Sequence, residues 1–161
     1  MRLMSSVAGS PRPLLIGLVF GVVLASALFL AVPGRAQQAP AQRQFNSDAG
    51  LVLNYVKPDK VADFEASIQK LKEALAKSEK PERKQQAAGW KVFKAVEPGP
   101  NGSALYVFLI DPSVKQTDYT VGAILQEGFP AEIQALFKAY SESYAGGQIP
   151  INLTLVHHLG K

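Results

Sequence analysis

No cysteine occurs in the 161 residues of the chain. Disulfides, a thiol nucleophile, thiolate metal ligands and a lipid-modified cysteine anchor are all excluded at once. Histidine occurs only twice, as the neighbours His157 and His158. Adjacent strand residues project to opposite faces, and a tight first-row metal site needs three or four ligands. With no third histidine to add, no joint metal site is expected. The chain also lacks a G-x-S-x-G elbow, a phosphate-binding glycine loop and a carboxylate pair spaced for acid-base work. Serine hydrolysis, nucleotide binding by a P-loop and glycosidase-like chemistry therefore have no support.

Charge is scarce in one place and balanced elsewhere. The formal net charge is +4, from 17 basic and 13 acidic residues. Arg2, Arg12 and Arg35 fall in the first 36 residues, where there is no acid, so the remainder carries 14 basic against 13 acidic residues. A nearly neutral domain with interspersed charges offers no basic stripe, and nucleic acid is not an expected partner.

The run from Leu14 to Val32 contains no charged residue and follows two arginines. Pro33-Gly34-Arg35-Ala36 then supplies small residues three and one before a cut after Ala36, the pattern of an export signal. Residues 1–36 are accordingly expected to be a signal peptide and the rest to be periplasmic or secreted. The alternative is an uncleaved anchor through residues 14–32, long enough to span a bilayer. In both cases the positive flank stays in the cytoplasm. Residues 37–48, rich in Gln and Ala without apolar periodicity, read as a flexible linker. The domain proper is expected over 49–161.

In that domain Leu51–Val56 reads as a strand of β-branched and aromatic residues. Pro58 and Asp59 signal a helix start, and Val61, Phe64, Ile68, Leu71 and Leu75 form one apolar stripe at helical spacing. Pro81 opens a further short helical turn ending before Gly89. Lys80, Arg83 and Lys84 stand among acids and read as a solvated face. The segments 90–96 and 104–110 flank the turn-rich Glu97–Ser103 and predict a hairpin. A helical region from Tyr119 to Tyr144 is broken at Gly128-Phe129-Pro130, and Gly146-Gly147 reads as a helix stop before a last strand from Ile149 to Leu159.

The order strand, helix, strand, strand, helix, strand predicts an α+β fold, a ferredoxin-like βαββαβ domain with a four-stranded antiparallel sheet. Two helices cover one face of such a sheet. Strand 104–110 is apolar on both parities, so the second face needs a cover, and a second copy of the sheet is the economical one. A homodimer through the sheet face is therefore expected.

By strand parity Asn54 on the first strand and Asn152, Thr154 and His158 on the last share a face. These four are the candidate ligand-binding residues: oriented polar groups in an apolar cavity, or a network satisfied within itself. Tyr55, Trp90, Tyr106, Tyr119, Tyr140 and Tyr144 are possible donors, though aromatics in these periods belong mostly to cores.

The stretches LVLNYVKPDKVADFE, GWKVFKAVE, ALYVFLID and INLTLVHHL resemble the dimeric α+β barrel superfamily, including antibiotic-biosynthesis-monooxygenase-like domains. The resemblance runs from about Ala49 to Leu159 in element order and patterning. It implies a homodimeric barrel with a pocket between sheet and helices in each subunit. The heme-degrading members combine an Asn on the first strand with a Trp and a His near the second helix. Asn54 matches the first, but Trp90 opens the second strand and 119–144 holds neither Trp nor His. Heme is thus not an expected cofactor, and no other cofactor is implied. The expected function is binding of a small apolar ligand or a protein partner; the alternative is a cofactor-independent monooxygenase using the pocket.

Overall fold

The computed structural model describes residues 42–160. The expected signal or anchor segment and its cleavage point lie outside the described residues. Among the described residues no helix is long and apolar enough to cross a membrane.

Eight principal elements follow in chain order: β1 (Ala49–Val56), α1 (Val61–Lys77), α2 (Pro81–Gly89), β2 (Trp90–Lys94), β3 (Ala104–Ile110), α3 (Val121–Gly128), α4 (Ile133–Glu142) and β4 (Tyr144–Leu153). The strands form one antiparallel sheet in the order β2-β3-β1-β4. That is the ferredoxin-like α+β arrangement expected from the element order.

Alternation on β1 decides which face carries the core. Gly50, Val52, Asn54 and Val56 are buried, whereas Leu51, Leu53 and Tyr55 are only partly covered. The register places Val52 opposite Phe108 and Asn54 opposite Tyr106, so the buried parities of β1 and β3 coincide. Helix α1 lays Phe64, Leu71 and Leu75 on this face, with Val61 and Ile68 packed at its margin. Phe64 is its centre, 4.7 Å from the Tyr106 ring and 5.9 Å from the rings of Tyr140 and Tyr144. Gly128 lets α3 approach α1 closely, since a Cβ there would lie 2.6 Å from that of Ala74.

Three expectations give way. Arg83 is not part of a solvated face: it is buried, with Nη2 2.8 Å from Glu127 and Nη1 2.6 Å from the Gln86 carbonyl oxygen. The guanidinium holds the Glu127 carboxyl below the usual carboxylate range, and the cluster ties α2 to α3. The expected flexible linker does not reach residue 48. Phe45, 1% exposed, packs edge-on against Tyr119 at 5.3 Å. The backbone of Arg43 donates to Asp118 Oδ1 at 3.0 Å and accepts from the Tyr119 N–H at 2.7 Å.

The last strand begins at Tyr144 instead of Ile149 and ends at Leu153 instead of Leu159. Gly146-Gly147 is not the helix stop. It lies in β4 where the register against β1 shifts between Asn54 and Val56, and Gly147 takes φ +86°, a left-handed conformation that suits glycine.

Candidate functional site

The early start of β4 decides what meets Asn54. Its register partner is Gln148, while Asn152 pairs with Gly50, four residues away along β1. The cluster of Asn54, Asn152, Thr154 and His158 therefore does not form. Asn152 is exposed and accepts the Asn46 backbone N–H at 3.1 Å. Thr154 lies beyond the end of β4 in an exposed tail. His158 is exposed in the same tail, with Nδ1 3.3 Å from the Gly160 N–H. His157 is exposed there as well.

Asn54 itself is fully buried and sits in a closed polar network. Its amide nitrogen donates to the backbone oxygens of Val52 at 3.1 Å and Tyr106 at 3.2 Å. That orientation turns Oδ1 toward β4, where it accepts from Gln148 Nε2 at 2.6 Å and from the Tyr144 hydroxyl at 3.2 Å. Gln148 Nε2 also lies 2.9 Å from the Tyr140 hydroxyl and 2.7 Å from that of Tyr144. The carboxamide oxygen of Gln148 accepts from Arg43 Nη1 at 2.7 Å. Because a guanidinium can only donate, it fixes which end of the Gln148 amide faces which way.

Burial pushes the Tyr140 phenol up to about 12 and that of Tyr144 higher still, so both are neutral donors near pH 7. The nearby Arg43 charge pulls in the other direction on each and does not offset the burial.

This network forms one wall of a cavity of about 480 Å³ between β4 and the helices α3 and α4. Its lining includes Arg43 from the N-terminal arm, Thr120, Val121 and Gly122 at the start of α3, Phe137, Tyr140 and Ser141 of α4, and Tyr144 and Gln148 of β4. Such a volume is in the range of small-molecule sites. A second, smaller apolar cavity of about 300 Å³ lies between α1 and the sheet edge, lined by Ile68, Leu71, Leu75, Trp90 and Val92.

Of the candidates read from sequence, Asn54, Tyr140 and Tyr144 belong to this site. Arg43 and Gln148 were not among them. Gln148 falls between the expected helix stop at Gly146-Gly147 and the expected strand start at Ile149. For Arg43 the one available signal is its neighbour Phe45, the only large apolar residue in 37–50, which marks a segment able to dock.

The chain folds as a ferredoxin-like α+β domain with a cavity onto which polar groups of Arg43, Tyr140, Tyr144 and Gln148 open. No protein family model matches the chain, and no curated protein is similar to it. Among solved structures, it is similar to a candidate antibiotic biosynthesis monooxygenase from Caulobacter crescentus. The two are 21% identical, the match covers 71% of this chain and 94% of the other, and the TM-score is 0.38. No residue role is carried over from that likeness.

Proposed function

We propose that the domain is an exported, dimeric binding module that takes a small, mainly apolar molecule into the cavity between β4, α3 and α4. The observation that carries this reading is the Asn54–Gln148–Tyr140–Tyr144 network, buried at Asn54 and Tyr140 and opening on that cavity. A few oriented polar groups on an otherwise apolar wall are the usual make-up of a ligand site.

The monooxygenase alternative is the weaker reading. Oxygenation without a cofactor begins by removing a substrate proton, which calls for a base. The cavity lining contains no carboxylate, imidazole or thiol, and its two phenols are held protonated.

Ser141 offers a test, because it is exposed on α4 at the cavity. A panel of small aromatic and aliphatic molecules, followed by ligand-observed NMR, is expected to give binders to the native chain. Ser141→Trp should abolish them while leaving the melting temperature unchanged. Absence of binders, or binding indifferent to Ser141→Trp, would overturn the proposal.

A further inference from the structure

The polar groups that line the cavity fall into two sets, those already used and those with capacity left. Thr120 is used: its hydroxyl donates to Asp118 Oδ1 at 2.5 Å and accepts the Arg43 backbone N–H at 3.0 Å. Ser141 donates to the Lys138 backbone oxygen at 3.1 Å. The Asp118 carboxylate, bonded to Thr120 of the lining, is itself occupied on Oδ1 by the N–H groups of Arg43 and Thr120 and by the Thr120 hydroxyl.

What remains are donors. A guanidinium has five N–H donors, and among the described residues Arg43 uses one, toward Gln148. No carboxylate of the described residues lies within ion-pairing distance of it. The two amide hydrogens of Gln148 are spent on Asn54 and on the tyrosine hydroxyl oxygens, and Tyr144 directs its own hydrogen at Asn54. The Tyr140 hydroxyl, in a residue only 5% exposed, is satisfied by Gln148 and Tyr144. The backbone N–H groups of Val121 and Gly122, at the positive end of α3, have no acceptor among the described residues.

A half-buried guanidinium with most of its donors unused, on a cavity that the start of α3 also lines, calls for an acceptor that carries charge. Resting on the pocket reading above, we infer that the ligand is a small organic monoanion, a carboxylate with an apolar body. Its head meets the Arg43 guanidinium, and its body lies against Val121 and Phe137. A single charge fits because Arg43 is the one cation of the lining. An apolar body fits because Phe137 is 39% exposed beside the cavity, with its ring within 3.0 Å of where a Gly122 side chain would begin.

The test uses phenylacetate, octanoate and naphthoate, each beside its primary amide, in titration calorimetry on the full chain. A carboxylate should bind about tenfold or more tightly than its amide. Arg43→Gln should remove that preference, and Arg43→Lys should retain part of it. The side-chain change leaves the arm's backbone hydrogen bonds in place, so Arg43→Gln is expected to melt cooperatively and the preference is read on folded protein. If amides bind as well as carboxylates, or Arg43→Gln keeps the preference, the anion inference fails while the pocket reading stands. If neither class binds, both fail.

Discussion

Asn54 is the residue on which the site turns, and its role follows from counting hydrogen bonds. All four of its side-chain bonds are made, two to strand carbonyls and two to groups facing the cavity. An amide in that position is satisfied in the absence of any ligand, which is why it can be buried between two strands. The tyrosines it supports carry a pH signature. Burial raises the Tyr140 phenol from 10.0 to about 12, so between those values the native state holds a proton that the unfolded chain has lost. Stability from this group is complete below pH 10 and is lost as pH rises toward about 12. Tyr144 acts in the same direction. We expect urea midpoints to fall between pH 10 and 12 and to fall less steeply in Tyr140→Phe. Equal slopes in both proteins would contradict the burial of this phenol.

Among the elements, the N-terminal arm does more than its composition suggests. Residues 43–48 cross the domain and are pinned by Phe45, whose ring fills the space that a Gly50 side chain would need. A Cβ at Gly50 would come within 2.2 Å of that ring. Gly50→Ala is therefore expected to expel Phe45 and free the arm, taking Arg43 out of the cavity. A fully buried Phe contributes about 1.5–3 kcal/mol, so opening should become about tenfold or more frequent. Trypsin should then cut after Arg43 correspondingly faster, and the carboxylate preference should vanish. Cleavage at the native rate would show that Phe45 does not hold the arm.

At the scale of the whole molecule, the side of the sheet opposite the core is the dominant feature of the described residues. Leu51, Leu53, Val107, Leu109, Ile149 and Ile151 share that side by register, and Phe93 opposite Val107 is 51% exposed. The proposed twofold sheet-to-sheet dimer would cover this apolar face with its own copy. Light scattering is expected to find a dimer at micromolar concentration. Val107→Glu, which sets a charge between Leu53 and Phe93, should give a folded monomer. A native chain that is monomeric under those conditions would dismiss the dimer.

Period and punctuation in the sequence determined the element order, the α1 stripe, the short α2 turn and the break at Gly128. These features depend on residues within a turn or two of each other, and hydrophobic spacing reports such neighbours directly. Asn54 as a polar residue on a buried strand was legible for the same reason. Its partners were not. Gly146-Gly147 serves equally well as a helix stop and as a bulge. Taking it as a stop starts β4 five residues late and brings Asn152 to Asn54 in place of Gln148. Only the paired sheet decides between the two, because register is set by hydrogen bonds to β1, far off in the chain. Arg43 reaches Gln148 across 105 positions. Nothing local in a Gln- and Ala-rich stretch encodes that contact; it exists because one phenylalanine finds a hole that the folded core leaves open beside a glycine.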